Sequence, residues 1–410
     1  MSTFQRNLEK YAELAVKVGV NVQPGQTLSV NAPIEAAAFV RLIARKAYEA
    51  GAKHVYVDWN DDEITRIKYE KAPDEAFREY PMWQARGREE MAENNAAFLS
   101  VIGSDPDLLR GIDPRRIADW NKAAGAALKT WRQYTMSDRV SWSIVAVSSP
   151  AWAAKVFPEL DASRQTDALW DAIFAAVRVD REDPVEAWKR HGAMLDAKAD
   201  YLNGRKFRIL RYRAPGTDLT IELPPGHLWV SGGSVNAQGT PFMANMPTEE
   251  VFTAPLREGV NGTVRSTKPL SYGGNLIKNF ALTFKEGRIV DVTAEEGLEV
   301  LQHLIETDEG SRYLGEVSFV PHESPISKTN RIFYNTLFDE NASCHLAIGK
   351  AYAFCLENGK GMSPEELERS GLNSSLVHVD FMIGSAELDI DGETADGKTE
   401  PLFRRGNWVF

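Results

Sequence analysis

The pair His378 and Asp380 lies within Ser375-Leu-Val-His-Val-Asp-Phe-Met-Ile-Gly384 and has the residue types and spacing of a metal site. The alternation of Leu376, His378 and Asp380 with Val377, Val379 and Phe381 predicts a strand, and side chains two apart on a strand share a face. An imidazole and a carboxylate pointing the same way are good ligands for zinc and similar ions. On an exposed edge the same two residues would form an ordinary ion pair. A second histidine, His345, sits in Phe338-Asp-Glu-Asn-Ala-Ser-Cys-His-Leu-Ala-Ile-Gly349, with Tyr352 seven residues further on. A helix over that stretch would put His345 and Tyr352 nearly two turns apart and toward one site. The other reading is a core histidine hydrogen-bonded to a neighbour, with Asp339, Glu340 and Asn341 capping or turning into the segment. Cys344 reads as a small buried residue, and its distance along the chain to Cys355 has no zinc-finger spacing.

Two acidic segments stand out. Asn245-Met-Pro-Thr-Glu-Glu-Val-Phe252 carries the adjacent acids Glu249 and Glu250; neighbouring side chains diverge, so at most one of them points into a site. Gly315-Glu-Val-Ser-Phe319 places Glu316 among strand formers, where a lone acid usually faces solvent. The remaining histidines read as structural. His191 and His303 fall in helical patterns, His54 opens a strand, and His322 lies in turn-like sequence; His227, in Pro224-Pro-Gly-His-Leu-Trp229, is a pocket candidate. The nucleophile elbow G-x-S-x-G, the Walker loop and H-E-x-x-H are all missing from the sequence. The first strand-to-helix junction, Asn31-Ala-Pro-Ile-Glu35, lacks the glycine fingerprint of a dinucleotide site, so no NAD is expected.

These residues must be held by a chain of 410 residues, long enough for two or three domains. The first half alternates strands with helix-length segments. Helices are expected over Phe4 to Gly19, Ile34 to Ala50, Arg115 to Tyr134, Ser163 to Val179 and Pro184 to Leu202. Strands are expected over Thr27 to Val30, His54 to Trp59, Ala97 to Ile102 and Ser143 to Val147. That order predicts a layered α/β domain with a mostly parallel sheet. Composition then shifts: 22 of the 30 glycines lie in residues 201–410, whereas 8 of the 10 tryptophans lie in residues 1–200. Glycine-punctuated short strands predict antiparallel sheet. Hairpins are expected from Phe207 to Leu223 and from Phe280 to Val292, and helices near Glu295 to Glu306 and after His345. The boundary is placed near Asn203-Gly204, giving an N-terminal α/β domain over 1–203 and a sheet-rich α+β domain over 204–410.

Forty-seven basic against 58 acidic residues leave a formal charge of −11, which disfavours a nucleic-acid partner in the absence of a basic patch. No run is long and apolar enough to span a membrane. The polar start from Met1 to Lys10 is unlike a signal peptide, and two cysteines make no disulfide framework, so a cytoplasmic setting is expected.

Taken together, Asn245-Met-Pro-Thr-Glu-Glu-Val-Phe-Thr253, Gly315-Glu316, Asp339-Glu-Asn-Ala-Ser-Cys-His345 through Tyr352, and His378-Val-Asp-Phe-Met-Ile-Gly384 resemble the thermophilic-type metalloaminopeptidases, the family of aminopeptidase T and aminopeptidase S. The resemblance runs over essentially the whole chain, including Tyr11-Ala-Glu-Leu14 and Val20-Asn-Val-Gln-Pro-Gly25. It implies two divalent ions per chain (zinc, cobalt or manganese) in the C-terminal domain. Their ligands would be Glu250, Glu316, His345, His378 and Asp380, with Tyr352 at the reaction centre. It also implies peptide substrates with a free amino terminus and a homodimer whose cavity excludes folded proteins. Three carboxylates and two imidazoles can hold two ions with open positions left for water and substrate. Glu316 would bridge the ions or act as base, and Tyr352 would stabilise the oxyanion. The glycine pairs Gly232-Gly233 and Gly273-Gly274 would help wall a blind cavity. Two other readings compete: a metal-dependent amidase acting on non-peptide amides, and a non-catalytic two-domain binding protein holding a structural ion.

Overall fold

A computed structural model describes residues 2–273 and 275–410. The chain divides into two compact units, Met1–Arg190 with Gly233–Pro247, and His191–Gly232 with Thr248–Phe410. The boundary falls inside helix Pro184–Arg205. The return of 233–247 to the first unit rests on strands of two or three residues, too short to carry a hydrophobic period.

The first unit is built on a five-stranded parallel sheet. Strand Thr27–Pro33 lies between His54–Asn60 and Ala97–Ile102; Trp142–Ala146 and Asn245–Met246 follow beyond the latter. Leu28, Val30, Ala32, Ala97, Phe98, Leu99 and Val101 are buried, the near-continuous apolar run that a strand covered on both faces requires. Helix Thr3–Leu14 starts where the Ser2 side chain accepts the Gln5 N–H. It buries Tyr11, whose hydroxyl accepts the Ala146 N–H at 3.0 Å. The Arg115 to Tyr134 stretch, expected as one helix, is two: Pro114–Ala127 and Lys129–Met136. Leu128, at φ −90° and ψ 7°, breaks the α geometry between them.

The second unit packs an eight-stranded antiparallel sheet and a five-stranded one around a shared apolar core. The expected hairpins occur as Ile209–Ala214 with Thr217–Glu222 and Ala281–Lys285 with Arg288–Thr293. The expected helix between Glu295 and Glu306 is Leu298–Ile305. The helix expected after His345 is a correction: His345–Gly349 is a fully buried strand, and Tyr352 lies beyond it at the start of a single 3₁₀ turn, Ala353–Cys355. A short apolar run carries no period that separates a buried strand from a buried helix, and here pairing on both sides decides for strand. In the five-stranded sheet the order is His378–Met382, His345–Gly349, Leu314–Phe319, Val251–Thr253, Val230–Ser231.

Candidate metal centre

Strand register puts two opposite chemistries on the two faces of that sheet. Glu316 pairs with Ala347, which pairs with Asp380; Ser318 pairs with His345, and Gly349 with His378. Partners across a ladder share a face, and residues two apart along a strand share it too. Glu316, His345, His378 and Asp380 therefore stand on one side, with small Ala347 and Gly349 between them. Glu250, one residue before Val251–Thr253, has the same parity as Phe252, the partner of Ser318. The alternate residues Val251, Val317, Phe319, Leu346, Ile348 and Phe381 face the core. A bulge between Leu314 and Glu316 sets this register. Gly315 is required there, because a Cβ would meet the carbonyl oxygens of Gly349 and Lys350 at 2.3 Å.

The side chains converge. His345 Nε2 lies 3.2 Å from Glu250 Oε2 and 3.3 Å from Glu316 Oε1. His378 Nε2 lies 3.6 Å from Glu316 Oε2 and 3.4 Å from Asp380 Oδ1. Two groups result, Glu250–Glu316–His345 and Glu316–His378–Asp380, each with its potential ligand atoms within 4.8 Å of one another. Glu316 belongs to both, one oxygen in each. The other ring nitrogens are held by carbonyls: His378 Nδ1 lies 2.7 Å from Lys350 O, and His345 Nδ1 lies 3.2 Å from Ser343 O. A carbonyl can only accept, so each Nδ1 carries hydrogen and each Nε2 is left facing the carboxylates, where it could bind a metal. Ser318 Oγ donates to Glu250 Oε2 at 2.8 Å.

Charge states follow from crowding. Burial pulls the His345 imidazole down, but hydrogen bonds to Glu250 and Glu316 outweigh it and hold the group well above its ordinary value. His378 is also opposed by burial, yet its contact with Asp380 and the charge of Glu316 raise it to about 9. Burial pushes the Glu316 carboxyl up. For Asp380 burial is again the largest influence, but the facing imidazoles win and its carboxyl is lowered. The Tyr352 phenol is raised by burial and by the surrounding carboxylates, and its ring lies 4.7 Å from that of His378. Asp380 Oδ1 is buried without a hydrogen bond of good geometry. Two Nε2 atoms facing converging carboxylates, one of whose oxygens lacks a well-formed hydrogen bond, fit a divalent cation.

One acid belongs to this surface that sequence reasoning placed only as a turn or cap. Glu340, in the turn Glu340–Ala342, has its carboxyl raised well above the usual range by burial and then by the charges of Glu250 and Asp380. Its only sequence signal is an acid within the Asp339-Glu-Asn run leading to His345. Of the adjacent acids, Glu250 joins the cluster, while Glu249 turns toward His191, 3.6 Å from Nε2. His227 is not part of either group; it is buried, with Nδ1 2.9 Å from Pro224 O. Cys344 is a buried free thiol pushed up to about 12 by burial. Gly232 lies tight against Thr248, where a Cβ would meet its side chain at 2.3 Å; Gly274 lies outside the described residues.

A sheet face that gathers two imidazoles and three carboxylates can hold metal ions, and sequence comparison gives the class. The profile described as thermophilic metalloprotease (M29) matches residues 4–408, and the chain belongs to that family. Aminopeptidase AmpS of Bacillus subtilis (strain 168) is 60% identical over 410 residues, covering 100% of both chains. Aminopeptidase 2 of Geobacillus stearothermophilus is 58% identical over 410 residues, covering 100% of this chain and 99% of the relative. The structure of wild-type AmpT from Thermus thermophilus matches with a TM-score of 0.94 at 45% identity, covering 100% of each chain.

Proposed function

We propose that this metalloprotease-family chain is an aminopeptidase that uses two divalent ions, zinc, cobalt or manganese. One would be held by Glu250, Glu316 and His345, the other by Glu316, His378 and Asp380. The observation that carries this reading is the place of Glu316 in both groups, with one oxygen directed to each histidine. When bound, such ions supply Lewis-acid polarisation of a scissile carbonyl and acidify a water molecule.

The protein's own groups do the rest. His345 and His378 are fixed in orientation by the carbonyls behind them. Each oxygen of Glu316 faces a histidine, so Glu316 would help to hold both ions rather than transfer a proton. Glu340, an acid with a buried carboxyl on the turn beside Glu250 and Asp380 that belongs to neither ligand group, is the candidate to accept a proton from water and pass it to the leaving amine. Tyr352 stays protonated, so its hydroxyl can donate to the developing oxyanion. Its ring stacks on Phe354 at 5.1 Å, and Phe252 packs edge-on to both, an apolar wall that limits water.

The full protein is a homodimer and works in the cytoplasm on this reading. Its two cysteines are free and buried, and among the described residues no helix is long and apolar enough to cross a membrane. A mass-spectrometric time course tests the activity. Short peptides with a free amino terminus should lose one residue at a time, and N-acetylated versions should resist. Internal fragments, or equal turnover of acetylated peptide, would overturn the aminopeptidase reading.

A further inference from the structure

We propose that His191 and Asn341 are positioning residues for Glu250, clamping from both ends the single peptide group that joins Thr248 to Glu249. The inference rests on the metal-binding reading of Glu250 given above. Residues 248–250 precede the strand Val251–Thr253, so no ladder neighbour pairs their backbone. They are nevertheless buried, and buried backbone groups need partners. Side chains supply them. His191 Nε2 donates to Thr248 O at 2.8 Å, and Asn341 Oδ1 accepts the Glu249 N–H at 2.7 Å. That carbonyl and that N–H belong to one amide plane. With both ends held, the plane cannot rotate, and the direction in which Glu250 leaves the backbone is fixed.

Both clamping groups are themselves anchored. His191 is buried on helix Pro184–Arg205, and donation to a carbonyl requires its proton on Nε2. Asn341 is fully buried. Its Nδ2 donates to Leu337 O at 3.0 Å, and its own carbonyl accepts from Ser324 Oγ at 3.1 Å. Because Asn341 follows Glu340 directly, the same amide ties the turn bearing Glu340 to the backbone bearing Glu250. Gly232 packs against the Thr248 side chain, where a Cβ would meet it at 2.3 Å. Without the clamp, the Glu250 carboxylate would still be oriented by its 2.8 Å contact with Ser318 and by His345.

The test is a cobalt titration of metal-free, full-length protein against a chromophoric chelator, with the visible spectrum of the loaded protein recorded. Partners behind metal ligands are typically worth about 10–100-fold in affinity. Asn341→Ala and His191→Leu should each weaken cobalt binding within that range and shift the cobalt bands. His191→Gln keeps an N–H near the Nε2 position and should recover most of the loss. Circular dichroism confirms that each variant is folded. Should Asn341→Ala fail to fold, the contrast between His191→Leu and His191→Gln decides. Folded variants with wild-type affinity and an unchanged spectrum overturn the clamp while leaving the metal site standing. A wild-type protein that takes up no cobalt overturns the metal reading itself, and the clamp with it.

Discussion

Stripping the protein of divalent ions should lower the melting temperature of the unit that carries Glu250, Glu316, His345, His378 and Asp380 by about 12 °C relative to protein held at 100 times the dissociation constant. An ion that binds only the native state adds about 2.7 kcal/mol at that concentration. The unit spans about 200 residues; at about 2.1 cal/mol/K per residue its unfolding entropy is roughly 0.4 kcal/mol/K. One ion is then worth about 6 °C and two about 12 °C. Variants divide the effect, because the two groups share a single residue. Glu250→Gln and Asp380→Asn each touch one group and should halve the metal-dependent rise. Glu316→Gln touches both and should nearly abolish it. The quantity compared is the rise within each variant, so changes in metal-free stability cancel. Differential scanning calorimetry at matched free metal, with elemental analysis of each sample, makes the measurement. Demonstrably metal-free wild type melting at the loaded temperature, or Glu316→Gln keeping the full rise, would refute the reasoning.

Tyr352→Phe should keep its metal but lose kcat by about 10²–10³-fold, the usual worth of one oxyanion donor; steady-state kinetics on a metal-analysed sample checks both halves, and a normal kcat would remove Tyr352 from this role. Loading metal-free protein at pH 7.5 should release about two protons per chain, since His345 and His378 are charged without metal and must be neutral to ligate. The raised His378 stabilises the metal-free fold below the ordinary value near 6.5, and that contribution is lost as pH rises through about 9, so metal affinity should climb over the same interval. An indicator dye in weakly buffered solution reads the protons directly, and full metal uptake with none released would count against this charge assignment. Light scattering at micromolar concentration should give twice 45.7 kDa, and a single-chain mass would refute the dimer.

Much of this was legible in residue order, for reasons that differ from segment to segment. Strand His378–Met382 announces itself because its two faces differ, and alternation is visible wherever that is so. Strand His345–Gly349 is buried on both faces, so its Leu-Ala-Ile run has no alternation and reads equally as helix. The Glu249-Glu250 pair shows from sequence that one acid must turn aside; that it turns to His191, 58 residues earlier in the chain, is set by tertiary packing. Glu340 was hidden because an Asp-Glu-Asn run is ordinary turn chemistry. Only the fold shows that this turn brings Glu340 close enough to Glu250 and Asp380 for their charges to act on it.

The alternation in the five-stranded sheet has a consequence for how such a centre comes into being. A slip of one residue in any ladder would drive carboxylates and imidazoles into the apolar interior and turn Leu346, Ile348 and Phe381 outward. The penalty for that error comes from the greasy side, and it is felt whether or not a cation is present. Hydrophobic collapse therefore proofreads the coordination sphere before any ion arrives. On the proposed assignment, a metal-free protein can finish folding with these carboxylates and imidazoles already aligned, and metal uptake becomes a late filling of a finished mould.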